Sequence, residues 1–176
     1  MVLLEQNKAI QKHCPPRKFK PAKRPRGSRF CTPPAYAKRA PRGRGRRAEG
    51  IRYERKVQKH LCKIYGDMYL PGPWLQFYDP DQRICQPDGL IFDLEKGVII
   101  LVEIKLRHCQ EAYWQLRKLY EPILRDMFPY ALWDIKCVEI VRWYDPDVQW
   151  PERHILRENI EDTPSDTIGV HIFSKV

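Results

Sequence analysis

The chain has 176 residues, with 32 Lys and Arg against 22 Asp and Glu and a formal net charge of +10. The excess lies entirely in residues 1–47, which hold 15 basic side chains and only Glu5, whereas residues 48–176 hold 17 basic and 21 acidic ones. No apolar run approaches the ~18 residues of a membrane span, and Val2-Leu3-Leu4 is too short for a signal-peptide core, so the composition argues against a membrane-spanning or secreted protein.

Residues 1–47 are rich in Pro, Arg, Lys and Gly, as in PPRKFKPAKRPRGSRF and APRGRGRR. Such a segment buries too little apolar surface to offset its ordering entropy, so it reads as a basic tail that is disordered when free. Lys and Arg in this density bind phosphates with release of counterions. Phe19, Phe30 and Tyr36 are interleaved with them at positions able to stack on bases. The run KRPR would suit nuclear import in a eukaryotic host. Six cysteines without a CxxC, and histidines without ligand spacing, argue for reduced thiols in an intracellular protein rather than a zinc module.

Residues 48–176 form the folded domain. Ala48 to Met68 has helical periodicity, with Ile51, Val57, Leu61, Ile64 and Tyr65 on one stripe. Glu54 falls inside that stripe: it either meets the helix dipole or faces something cationic. Pro71-Gly72-Pro73 stops the helix region, Trp74 to Tyr78 reads as a strand, and Asp79-Pro80-Asp81 turns the chain.

Gln86 to Arg107 (QPDGLIFDLEKGVIILVEIKLR) reads as a hairpin around Leu94-Glu95-Lys96-Gly97. With that four-residue loop, Asp93 pairs with Val98, and counting outward Asp88 falls opposite Glu103. Directly opposed residues share a face, and Lys105, two residues beyond Glu103, shares it too. A three-residue loop would instead set Asp88 opposite Ile104 and split the trio. Leu90, Phe92, Ile99 and Leu101 lie on one face of the hairpin and Ile91, Ile100, Val102 and Ile104 on the other, so both faces are covered and the charged end lines a cleft. Opposed carboxylates repel, and a hard divalent cation such as Mg²⁺ removes the conflict.

Cys109 to Phe128 reads as a second helix, with Ala112, Leu116, Leu119, Tyr120, Ile123 and Met127 on its buried side and a kink or break near Glu121 imposed by Pro122. Gln115 lies beside that stripe, either as a boundary glutamine or as a site residue. Arg117 and Lys118 face either phosphates or water. Lys136 to Tyr144 reads as a strand, Pro151 to Asn159 as a short helix and Ile168 to Phe173 as the last strand.

Helix with Glu54, strand, Pro87-Asp88 hairpin with Glu103-x-Lys105, helix and strand together resemble the PD-(D/E)xK nuclease superfamily over roughly residues 48–144. Gly50-Ile-Arg-Tyr-Glu54 looks like the GxxxE element of its exonuclease-type branch, found in helicase–nucleases and phage exonucleases. Gln115 with Tyr120 is similar to that branch's QxxxY, but carries one residue too many. The resemblance implies an α/β restriction-endonuclease-like core, a central mixed sheet flanked by helices in the order α-β-β-β-α-β. It implies that Asp88, Glu103 and the Ile104 carbonyl hold Mg²⁺ or Mn²⁺, that Glu54 completes the shell through water or helps hold a second ion, and that Lys105 steadies or deprotonates the attacking water or offsets phosphate charge. The expected activity is metal-dependent hydrolysis of DNA, usually leaving a 5′-phosphate. Alternatives are a non-catalytic binding or packaging protein on the same fold and a structure-selective junction resolvase, the latter requiring a homodimer.

Overall fold

The computed structural model describes residues 18–37 and 45–174. Its centre is a six-stranded sheet in the order β2-β5-β6-β7-β9-β8. The strands are β2 (Tyr69–Pro71), β5 (Gly89–Asp93), β6 (Val98–Arg107), β7 (Asp134–Trp143), β8 (His154–Arg157) and β9 (Ile168–Ile172). β2, β5 and β6 run antiparallel, whereas β7 is parallel to β6, β9 to β7 and β8 to β9. The chain is thus mixed α/β, with a central mixed sheet covered by helices.

β6 (VIILVEIKLR) and β7 (DIKCVEIVRW) are nearly continuous apolar runs, as strands covered on both faces require. On one face, Tyr53, Val57 and Leu61 of helix α1 (Arg46–Tyr65) pack on Ile91, Ile100, Val102, Ile104, Val138 and Ile140. On the other, Leu90, Ile99, Leu101, Ile135, Cys137 and Val141 meet Ala112, Leu116, Tyr120, Ile123 and Leu124. The latter five belong to a continuous helical segment made of α2 (Gln110–Gln115), a π-turn (Leu116–Tyr120) and α3 (Glu121–Met127). That segment is the crossover two parallel neighbours need. The alternation read for the hairpin therefore matches the two cores.

Pro122 does not end the helical segment. Lacking an N–H, it cannot return a hydrogen bond to the carbonyl of Lys118, four residues back. The Lys118 carbonyl instead accepts the N–H of Ala22 at 2.8 Å. The N-terminal segment is thereby tied to the helix, and the expectation of a disordered tail is corrected for its described part. Arg26–Cys31 forms strand β1, paired with β3 (Trp74–Tyr78), which pairs with β4 (Gln82–Cys85) in a separate three-stranded sheet. Asp79 accepts the N–H groups of Lys23 and Arg24 at 2.6 and 3.3 Å, and Asp126 that of Ser28 at 2.8 Å. Ala22, Leu75 and Phe77 are buried in the helix-side core. Phe19 lies against Trp114, Phe30 packs on Phe92 and Phe128 while staying 41% exposed, and Tyr36 is exposed. The rest of the proposed tail, residues 1–17 and 38–44, lies outside the described residues.

Three further boundaries differ from expectation. Helix α1 begins at Arg46 and ends at Tyr65, with a single 3-10 turn over Gly66–Met68. Tyr69–Pro71 is an edge strand, where proline's missing donor is tolerated. Pro151 to Asn159 contains strand β8 rather than a helix, because the open edge of β9 recruits His154–Arg157 into parallel pairing. None of the described helices is long and apolar enough to cross a membrane.

Candidate active site

The hairpin register is the four-residue-loop one. Asp93 pairs with Val98 and Gly89 with Val102, and Gly97 takes the positive φ of 64° that the turn requires. Asp88 therefore stands immediately beyond the ladder, beside Glu103. Its Oδ2 accepts the Ile104 N–H at 2.6 Å, so a side chain replaces the missing strand partner. Its carbonyl is held from three sides, by the Gly72 N–H at 3.0 Å, Gln58 Nε2 at 3.1 Å and the Tyr69 hydroxyl at 3.3 Å. The ring of Tyr69 lies over Gly89 so closely that a Cβ there would collide with it. Backbone packing on both sides of Asp88 thus fixes where its carboxylate points.

Glu103 is 2% exposed. Its Oε1 meets Lys105 Nζ at 2.8 Å, and its Oε2 is buried without a hydrogen-bond partner. Burial and the nearby Asp88 charge push Glu103 up to about 8 against the pull of Lys105. Burial raises Asp88 too, opposed by the Ile104 N–H and by Lys105. Glu54 reaches the same region from α1, where Gln58 Nε2 bridges its Oε1 at 3.4 Å to the Asp88 carbonyl. Burial, then Asp88, carries Glu54 up to about 7. For Lys105, burial favours the neutral amine, but the carboxylates around it outweigh burial and hold it charged. Glu54, Asp88 and Glu103 outnumber this ammonium, which accounts for raised acids beside a raised base.

Gln115 is placed one step further out. The π-turn over Leu116–Tyr120 adds one residue to the helical turn, so Gln115 and Tyr120 come together despite their spacing, and the Gln115 amide bears on the Tyr120 hydroxyl. That hydroxyl donates to the Gln86 carbonyl at 3.2 Å. Burial, then the charge of Glu103, raises the Tyr120 phenol. Among the described residues Gln115 makes no hydrogen bond to Asp88, Glu103 or Lys105, and its Oε1 is buried and unpartnered. Arg117 is committed to Glu121 at 2.8 Å and Glu152 at 3.1 Å, which withdraws it from phosphate binding.

One pair escaped the sequence reading. Glu139 on β7 lies in register with Glu103 on β6, fully buried, with Oε2 2.5 Å from His108 Nδ1. Burial raises this carboxyl, against the pull of His108. Its signal was present in KCVEIVRWY: an acid at an inward position of an apolar strand, the same signal that singled out Glu54 on its helix.

Among the described residues, no three His, Cys, Asp or Glu side chains converge as a ready-made metal cage. The donors still fit a hard cation that keeps part of its water shell: two adjacent carboxylates, an unpartnered buried oxygen on Glu103 and raised proton affinities that a positive charge would reverse. No protein-family model, no curated protein and no solved structure matches this chain.

Proposed function

We propose that the protein is a metal-dependent nuclease that hydrolyses phosphodiester bonds of DNA on a restriction-endonuclease-like core. One observation carries the reading: Asp88, Glu103 and Lys105 lie together, largely buried, at the end of the β5–β6 hairpin, with one carboxylate oxygen of Glu103 unpartnered. The element order α1, β2, β5, β6, α2–α3, β7, with β7 parallel to β6, supports the core.

Asp88 and Glu103 would hold Mg²⁺ or Mn²⁺. Within a strand, the N–H and C=O of one residue face the same neighbour. The Ile104 N–H turns to Asp88, so its carbonyl faces the same gap beyond β5 and suits the third protein ligand. Glu54 stands behind Asp88 as an outer carboxylate. Such an ion, when bound, lowers the pKa of a water and polarises the scissile phosphate. Lys105, held charged, offsets negative charge developing on the phosphate. Gln58 and Tyr69 keep the Asp88 backbone in place, and the Glu103–Lys105 contact orients both side chains.

The test is incubation with supercoiled and linear DNA in Mg²⁺, Mn²⁺ or EDTA. Cleavage by the wild type in metal, abolished by EDTA and by Asp88→Asn, is expected. Equal cutting by wild type and Asp88→Asn would overturn the reading.

A further inference from the structure

The three-stranded sheet β1-β3-β4 has an inner and an outer face. Leu75 and Phe77 point inward and are fully buried. Trp74, Gln76 and Tyr78 alternate with them and point outward. In regular pairing Arg26 and Arg29, three apart, would lie on opposite faces. The register shifts between them, so that Arg26 pairs with Tyr78 and Arg29 with Gln76. Gly27, at φ 59°, makes that bulge possible. Both arginines therefore project outward, alongside Tyr78, which is 41% exposed. Gln82 of β4 pairs with Tyr78 and joins the same face.

Neither arginine is in an ion pair among the described residues, nor are Lys18, Lys20, Lys23 and Arg24 beside them, whereas Arg83, Arg117, Arg125 and Arg142 are paired. The acids close to the segment serve its backbone instead: Asp79 takes the N–H groups of Lys23 and Arg24, and Asp126 takes that of Ser28. Main-chain docking to acids leaves the basic side chains in solvent. The result is a sheet face of two arginines, two glutamines, a tyrosine and a half-buried tryptophan, with Cys31 and Ile84 between them and no acid among its paired positions. From its end β4 runs through Gln86 and Pro87 into Asp88.

We propose that this outer face binds an unpaired strand of nucleic acid, with Tyr78 and Trp74 stacking on bases, Arg26 and Arg29 on phosphates, and Gln76 and Gln82 on base edges. A β-sheet carrying exposed aromatics among cations suits splayed bases, because every base offers a π-face. The inference rests on the nuclease reading for the class of ligand. It departs from a diffuse tail in naming a folded surface and a single-stranded substrate.

The experiment is fluorescence anisotropy of a labelled oligothymidylate, and of a duplex of equal length, with the full chain in EDTA across a salt series. The wild type is expected to bind the unpaired strand more tightly. Tyr78→Ala is expected to weaken it about tenfold, with Tyr78→Trp restoring binding. Arg26→Gln/Arg29→Gln is expected to reduce the slope of log K against log salt by about 1.4, while Arg26→Lys/Arg29→Lys keeps it. Lys56→Gln/Lys59→Gln, on helix α1 across the six-stranded sheet, removes equal charge and is expected to bind like the wild type. The proposal is overturned if Tyr78→Ala and the Arg→Gln pair bind normally, if the Lys56/Lys59 variant loses as much, if the duplex is preferred, or if polyglutamate competes as well as oligothymidylate. Binding that passes in a protein that never cleaves in metal refutes the nuclease reading and leaves this face standing. Cleavage with no effect of the face variants does the reverse.

Discussion

Asp88 and Glu103 are two acids placed where one would be comfortable. Burial first, and then the Asp88 charge, push Glu103 up to about 8 and Glu54 up to about 7. A carboxyl raised on folding contributes stability fully below its unfolded value and loses that contribution as pH rises through its folded value. The metal-free protein is therefore expected to lose thermal stability between about pH 4.5 and pH 8 through these two groups. Glu103→Gln should flatten the decline, and Mg²⁺ should raise the melting temperature more at pH 8 than at pH 5. Melting curves in EDTA and in Mg²⁺ at several pH values check this, and an equal metal effect at every pH would count against it. The same substitution should lower DNA cleavage by at least about 100-fold, the scale of losing one group that stabilises a transition state.

Elements matter here because short contacts place those residues. β2 brings Tyr69 over Gly89, and Gly89 adjoins Asp88. Gly89→Ala is expected to force the Tyr69 ring away at a cost of about 1–3 kcal/mol and to displace the Asp88 backbone, reducing cleavage more than binding. Gly89→Ala with Tyr69→Ala removes the collision, so the double variant should be less destabilised than the sum of the two single variants; denaturant melts and cleavage rates on the wild type, the two singles and the double decide. In the helical segment, Leu116 is fully buried at the start of the π-turn. Leu116→Ala is expected to cost about 2–5 kcal/mol in a urea melt. The π-turn itself reconciles Gln115 with Tyr120: the extra residue that departs from QxxxY is taken up in the wider turn.

Across the molecule, the part that could be read in advance is the part whose pattern is local. The β5–β6 hairpin was legible because a glycine turn and period-two alternation fix both register and face, and with them Asp88, Glu103 and Lys105. The docking of residues 18–31 was not, because it runs through main-chain groups to Asp79, Asp126 and the Lys118 carbonyl, and backbone donors leave no side-chain pattern. β8 was misread as helix because its strand state is imposed by the neighbouring edge of β9. Gln115 reads only halfway: its register is set by the π-turn, which nothing in the local composition announces. The assembled fold thus joins the carboxylates at the sheet end to the three-stranded sheet through the short link at Gln86 and Pro87.

Crystals soaked in Mn²⁺ and measured for anomalous scattering test the central claim most directly. A peak about 2.1–2.3 Å from a carboxylate oxygen of Asp88 and from Oε2 of Glu103, with the Ile104 carbonyl alongside, is the predicted result. Crystals that diffract as well yet show no manganese between Asp88 and Glu103, or that keep the peak undiminished in the Asp88→Asn protein, would contradict it.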